Sequence, residues 1–313
     1  MSNFIPWDSQ PLDEWASKYA PGEFIDLDGR KTHYIEMGSG EPVILVHGFN
    51  YDSYSWVNNM EALASEHKVY ALDLWGSGFS TREPLDYGYE LFAHQLLLFM
   101  DALEISKASL VGHSMGGGTV IYFTLHHAGR VEKLILVNSV GIRNPLPLRG
   151  KLFQLPYIPE FLLGLKTNAI RQKNLKDNWI YNKRLLTDSY FEEATRFQKI
   201  KGSTKIQLSI LRKEFFNTLD EEIKQLGQKM IPTIIIWGKE DSSIPIRIGE
   251  EMHRLMPGSR LEIIDNAGHL SNFDQSIVFD KLVADFLSAD QPNPSLNPKE
   301  THDRSSLQAA SNQ

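Results

Sequence analysis

The sequence predicts an α/β fold: a mostly parallel sheet of eight strands, flanked by helices on both faces, with a helical insertion late in the strand order. Three observations predict it. Short apolar runs rich in β-branched residues recur along the 313 residues and alternate with helical patterns. Most of these runs are apolar throughout instead of alternating, as expected for strands buried on both faces of a sheet. The alternation then lapses between about Arg143 and Gln228, where helical stretches occur without a buried-strand run.

The elements follow in order. Phe24 to Asp28 and Thr32 to Met37 are weaker runs around Asp28-Gly29-Arg30, which predicts an opening hairpin. Six stronger runs predict the remaining strands: Pro42 to Gly48, Lys68 to Leu74, Ala108 to Ser114, Lys133 to Ser139, Pro232 to Gly238 and Arg260 to Asp265. Leu91 to Leu103, Met115 to His127 and Ile277 to Leu287 read as helices packed on the sheet. The division expected is a core over 1–142, a helical cap over 143–228 between strands 6 and 7, a second core segment over 229–289, and a disordered polar tail over 290–313. Prolines at 145, 147, 156 and 159 mark the start of the cap. Phe153, Leu155, Tyr157, Ile158, Phe161, Leu162 and Leu163 form an apolar stretch there. Most are expected to pack between cap and core, with one or two lining a substrate pocket.

Charge separates the two parts. The segment 143–228 holds 16 basic and 9 acidic residues, leaving 16 and 30 of the chain's 32 and 39 for the rest. Opposite charges favour docking of cap on core; attraction of an anionic substrate is the alternative. The chain as a whole carries −7 and has no basic stripe, which argues against nucleic acid as a partner. It has no cysteine, so disulfides, thiolate nucleophiles and thiolate metal sites are excluded. No run approaches the ~18 apolar residues of a membrane span. The first residues lack the basic start and apolar run of a secretory signal, so a cytoplasmic protein without stable membrane insertion is expected. Oligomeric state is not legible.

Chemistry concentrates at strand ends. Gly112-His113-Ser114-Met115-Gly116-Gly117 follows a buried run and opens a helix. A serine nucleophile on a sharp strand-to-helix turn needs small neighbours two residues before and after it. Such a turn aims the Met115 backbone N–H at a developing oxyanion, and Phe49 N–H in His47-Gly48-Phe49-Asn50 is the candidate second donor. A serine needs a base, and His269 in Asn266-Ala267-Gly268-His269-Leu270 follows the last strand. His253 and His302 lie in charged or polar segments and read as solvated. The acid expected to orient the base is Asp241 in Trp237-Gly238-Lys239-Glu240-Asp241, with Glu240 as the fallback. The preceding strand ends in Val137-Asn138-Ser139 and offers no rival carboxylate. His47 and Asp73 read as loop-bracing groups. No metal-binding or phosphate-binding motif is present, and no cofactor is expected.

Together, His47-Gly48, Asp73-x-x-Gly76-x-Gly78-x-Ser80, Gly112-x-Ser114-x-Gly116, Gly238-x-x-Asp241 and Gly268-His269 resemble the capped α/β-hydrolase superfamily, from about Phe24 to Leu287. The resemblance implies that fold and a hydrolytic mechanism: acylation of Ser114, then attack by water activated by His269. Relatives that are dehalogenases or epoxide hydrolases carry aspartate where this chain has Ser114. Hydrolases of C–C bonds in ring-cleavage products carry Asn before the nucleophile, a glycine-rich oxyanion loop and Trp after the histidine. Here those places hold His113, Phe49-Asn50 and Leu270. The reading is therefore a carboxylesterase acting on a small-molecule ester or related acyl substrate. A C–C hydrolase or enol-lactonase is the alternative, and a ligand receptor with little turnover is a third possibility of another class.

Overall fold

The computed structural model describes residues 4–144 and 153–289. Pro145 and Pro147, and the tail from Asp290 expected to be disordered, lie outside the described residues.

Eight strands form one sheet in the order β1-β2-β4-β3-β5-β6-β7-β8. They are β1 (Glu23–Leu27), β2 (Arg30–Met37), β3 (Pro42–Val46), β4 (Lys68–Leu72), β5 (Ala108–His113), β6 (Val131–Val137), β7 (Thr233–Gly238) and β8 (Arg260–Ile264). The opening hairpin β1–β2 and the β2–β4 pair are antiparallel; every other pair is parallel. The eight-stranded, mostly parallel sheet expected from the sequence is thus present. Several strands stop one or two residues before their apolar runs do. The residues that leave the ladder, among them His47, Asp73, Ser114 and Asn138, bend into the loops above the strand ends.

Apolar character on both faces has a direct cause. In β3, Ile44 and Val46 point into one core and Val43 and Leu45 into the other. In β6 and β7 the split repeats, with Leu134, Leu136, Ile235 and Trp237 on one face and Ile135, Val137, Ile234 and Ile236 on the other. Because side chains alternate faces, a strand covered on both sides must be apolar at every position.

The helices follow in chain order: α1 (Leu12–Tyr19), α2 (Met60–Ala64), α3 (Tyr89–Ala102), α4 (Met115–His126), α5 (Ile158–Gly164), α6 (Ala169–Asn174), α7 (Asp188–Thr195), α8 (Ser203–Arg212), α9 (Asp220–Leu226), α10 (Arg247–Leu255), α11 (Ser271–Asp274) and α12 (Ser276–Ser288). Helices α3, α4, α9 and α10 cover one face, and α2 and α12 the other. Lys133 in β6 secures the last of them. Its Nζ donates to the carbonyls of Phe286 (3.1 Å), Leu287 (2.6 Å) and Ala289 (2.7 Å), placing a cation at the C-terminal end of α12.

Between β6 and β7 the described residues are helical, α5 to α9. Two apolar clusters tie this segment to the rest. One joins Leu175, Ile180, Tyr190, Phe191 and Ala194 to Trp7, Tyr51, Leu270 and Phe273. The other joins Phe197 and Ile200 to Phe79 and to Trp15 and Ala16 of α1, a helix that precedes the first element expected from the sequence. The apolar stretch at the start of the segment behaves differently from expectation. Leu155, Tyr157, Ile158 and Phe161 are exposed, Tyr157 at 83% and Phe161 at 69%, so they do not pack between cap and core. The short helix α5 is outermost and leans on α8.

The turn from β5 into α4 is a tight junction. A Cβ on Gly116 would lie 2.2 Å from the Val46 carbonyl oxygen, and one on Gly112 2.5 Å from the Gly116 oxygen. Helix α4 therefore touches backbone, with no side chain between. Gly116→Ala is expected to push α4 off β3 and cost about 1–3 kcal/mol. Urea unfolding checks this against Gly129→Ala, where an added Cβ meets nothing within 4 Å.

Candidate active site

Ser114 sits between β5 and α4 with φ 52 and ψ −117, a left-handed conformation that non-glycine residues avoid. Three backbone bonds hold it there: its N–H donates to the Val137 carbonyl (3.0 Å), and its own carbonyl accepts from Val140 N–H and Gly118 N–H (both 3.2 Å). The side chain is directed over the strand ends and is 7% exposed. Met115 is the first residue of α4, so its N–H belongs to a first turn without partners inside the helix. The loop carrying Phe49 passes over the same serine: a Cβ on Gly48 would sit 3.1 Å from Ser114 Cβ and 2.7 Å from His113 Nδ1.

His269 reaches Ser114 from the loop after β8. Its Nε2 lies 3.0 Å from Ser114 Oγ and its Nδ1 2.8 Å from Asp241 Oδ2. Asp241 stands beyond β7 in a tight turn, where its Oδ1 accepts the N–H groups of Ser243 and Ile244, both at 2.8 Å. The histidine loop crosses β7 closely enough that a Cβ on Gly238 would meet the Gly268 oxygen at 2.1 Å. The structure thus brings Ser114, His269 and Asp241 into one hydrogen-bonded line. Glu240 stays outside it, its Oε2 accepting Ala267 N–H at 3.0 Å and bracing the loop from the other side. His253, in α10, bonds Ser259 Oγ through Nδ1 at 2.8 Å just before β8 begins, apart from this line.

Four groups around this line were not singled out from the sequence as parts of a site. Asn138, at the end of β6, donates from Nδ2 to Asp241 Oδ2 (2.8 Å) and accepts Ser271 Oγ–H on Oδ1 (2.6 Å). His113 places Nε2 2.9 Å from the His269 carbonyl oxygen, and its ring centroid lies 4.8 Å from that of His269, with the planes tilted at 56°. Burial, and then the neighbouring His269, hold its pKa well below the ordinary value, so His113 is neutral with Nε2–H donating. Asp274 accepts Gly268 N–H (2.8 Å), Tyr181 N–H and Asn182 N–H (both 2.9 Å), and Leu270 N–H donates to the Trp179 carbonyl (3.0 Å). The segment around Trp179–Asn182 is thereby sewn to the histidine loop. An asparagine at a strand tip beside a serine was the available signal for Asn138; the Asp274 contacts had none, because they depend on where a distant segment docks.

His47 and Asp73 sit where loop-bracing groups were expected. His47 Nε2 accepts Leu74 N–H (3.0 Å), so Nδ1 carries the proton and donates to the Gly48 carbonyl (2.8 Å). Asp73 accepts Ser53 N–H (2.7 Å) and Phe79 N–H (2.8 Å), and Ser80 Oγ–H donates to the Asp73 carbonyl (2.8 Å). Its Oδ2 also lies 2.6 Å from Nδ1 of the buried His33, whose Nε2 faces the Pro21 carbonyl. Both partners of that imidazole are acceptors, so both nitrogens must carry protons. Burial pulls the His33 pKa down, but Asp73 and the hydrogen bonds outweigh it and leave it raised. Burial likewise lifts Asp73, and His33 outweighs that and leaves it depressed. Among the described residues, no group of three or more His, Asp or Glu side chains is placed to hold a metal ion. No described helix is long and apolar enough to cross a membrane.

The His33–Asp73 pair sets a pH dependence. A raised histidine pKa adds stability that is complete below ~6.5 and is lost as pH rises through the folded value. Wild type is therefore expected to lose its stability advantage over His33→Gln above neutral pH. Urea unfolding of both proteins from pH 6 to 9 checks this; a constant difference would mean that His33 is not an imidazolium.

The family model of the alpha/beta hydrolase fold matches residues 41–276. A 2-hydroxy-6-oxo-2,4-heptadienoate hydrolase of Pseudomonas putida is 27% identical over 279 residues, covering 86% of this chain and 97% of that protein. A meta-cleavage product hydrolase structure from Pseudomonas fluorescens superposes with a TM-score of 0.73 and 28% identity, covering 85% of this chain and 97% of that one. An enol-lactonase structure from Burkholderia xenovorans gives a TM-score of 0.71 at 21% identity, covering 85% and 100%, and shares the fold.

Proposed function

We propose that this chain, which belongs to the α/β-hydrolase family, is a serine hydrolase that cleaves a C–C bond beside a ketone in a small dienoic acid. In this reading Ser114 is the nucleophile, His269 the general base and Asp241 the orienting acid. The observation that carries the serine mechanism is the line Ser114 Oγ–His269 Nε2–Asp241 at 3.0 and 2.8 Å. The preference for a C–C bond rests on the ring-cleavage hydrolases, which align with this chain over nearly their whole length. It displaces the carboxylesterase expected from the sequence alone.

The geometry suits the steps required. His269 Nε2 takes the Ser114 proton as Oγ attacks the ketone carbon, and the imidazolium formed is held by Asp241. The oxyanion falls to the backbone N–H groups of Met115 and Phe49. Collapse breaks the C–C bond, and the carbon leaving group departs as an enolate spread over the diene that takes up the proton held by the His269 imidazolium, which returns His269 to its neutral form. Water, deprotonated by His269, then releases the acyl group from Ser114. No step needs a metal or an organic cofactor from the residues present.

Hydrolysis of a carboxylic or enol ester is the second reading, favoured by three positions. Ring-cleavage hydrolases are expected to carry Asn, a glycine-rich loop and Trp where this chain has His113, Phe49-Asn50 and Leu270. Leu270 is fully buried among Tyr51, Ile180 and Phe273 and presents no polar group to substrate.

Steady-state assays of a dienoic ring-cleavage product beside p-nitrophenyl esters of graded length decide between the two. Faster kcat/KM on the dienoic acid is expected; preference for the esters installs the second reading, and binding without turnover on either points to a receptor. Ser114→Ala is expected to lower kcat at least about 10⁴-fold on either class. Turnover near wild type in that variant removes Ser114 as nucleophile. Asp241→Asn is expected to cost about 10²- to 10⁴-fold and Glu240→Gln less than about tenfold, with the ranking read from kcat.

A further inference from the structure

At the end of β6 the chain turns left-handed at Asn138, φ 42, and its side chain is wholly buried. Its backbone N–H continues the ladder to the Ile236 carbonyl (2.9 Å), which fixes where the amide begins. The amide Nδ2 donates to Asp241 Oδ2 at 2.8 Å, the oxygen that also receives His269 Nδ1 at 2.8 Å. On its other side, Oδ1 accepts Ser271 Oγ–H at 2.6 Å, and Ser271 lies two residues beyond His269. His269, Asp241, Asn138 and Ser271 therefore close a circuit, completed by the backbone through Leu270.

We propose that Asn138 and Ser271 are positioning residues: through Asp241 they set the orientation and proton affinity of His269. This rests on the reading of Ser114, His269 and Asp241 as the catalytic set.

A count of acceptor sites supports the assignment. An ionised carboxylate has about four lone-pair sites. Asp241 fills two on Oδ1 with Ser243 and Ile244 N–H, and two on Oδ2 with His269 and Asn138. It has one orientation and no room for water. The amide has one orientation as well, because a flipped Asn138 would turn its oxygen toward the carboxylate and leave Ser271 a worse partner. Asparagine also tolerates the left-handed backbone that most residues resist. The Nδ2 donor offsets part of the charge on Oδ2. Without it, Asp241 would hold an imidazolium more tightly and His269 would be slower to give up its proton. The other titratable groups around His269 are the neutral His113, with Glu240 and Asp274 engaged by the Ala267 and Gly268 amides.

The kcat/KM–pH profile of the full chain tests this. Asn138→Gly deletes the donor while keeping the backbone conformation accessible. Its acidic limb is expected to move up by about half to one pH unit, with kcat lowered about tenfold or more. Ser271→Ala leaves the amide but frees it, and is expected to lower kcat about three- to tenfold at unchanged KM. The double variant is expected to match Asn138→Gly alone, because both act through one circuit. A merely space-filling Asn138 would lower the unfolding midpoint and leave the limb in place. An unmoved limb in Asn138→Gly, or wild-type kcat in Ser271→Ala, overturns the proposal. If Ser114→Ala retained activity, the underlying reading would fail instead, so the two failures are distinguishable.

Discussion

The distance at which α4 can approach the sheet governs the rest of the site. Backbone meets backbone there, with no room for a Cβ at Gly112 or Gly116. That contact forces Ser114 into a left-handed conformation whose cost is of order 1–3 kcal/mol. The surrounding parallel core, apolar on both faces of β3, β6 and β7, supplies the stability that keeps this strain in place. What the strain secures is direction. The hydroxyl stands clear of the strand ends, and the N–H groups of the first turn of α4 lie beside it.

Two buried histidine–carboxylate pairs lie beyond strand ends, one with its carboxylate after β4 and the other with its carboxylate after β7, and their differences are instructive. His33 faces Asp73 with one nitrogen and the Pro21 carbonyl with the other, so both nitrogens are committed as donors. Its pKa is raised by Asp73 and the hydrogen bonds, and it braces loops. His269 faces Asp241 with one nitrogen and a hydroxyl with the other, and a hydroxyl can donate or accept. Only the second imidazole faces a group that does not commit its nitrogen to donating. The two pairings are alike on the carboxylate side; the group on the far nitrogen, a carbonyl for His33 and a hydroxyl for His269, is what separates them.

Much of this was legible in the sequence because it depends on local rules. Buried strands announce themselves by unbroken apolar runs, and Ser114, Asp241 and His269 each follow such a run beside glycine. Asp73 and His47 could be read as braces because each also ends a strand. Less legible were the features set by long-range docking. Helix α1 packs against Phe197 and Ile200, some 180 residues away, and the elements expected from the sequence began only at Phe24. Tyr157 and Phe161 read as core residues because apolarity suggests burial, yet the sequence does not say which helix lies outermost. Asn138 was passed over because only carboxylates were sought at the strand tip, whereas the circuit there needed an amide.

The strand order holds a further consequence. From β3 the chain leaves toward β4 on one side, and from β5 toward β6 on the other, although β3 and β5 are neighbours. Segments leaving two adjacent strands in opposite directions must part above the sheet, and the gap between them is a crevice that topology provides before any side chain is chosen. Phe49 stands on one lip of that crevice and Ser114 on the other. The segment between β6 and β7 packs on Tyr51 and Leu270, from the loops after β3 and β8, so it can vary above that end of the sheet while the strands that open the crevice stay as they are.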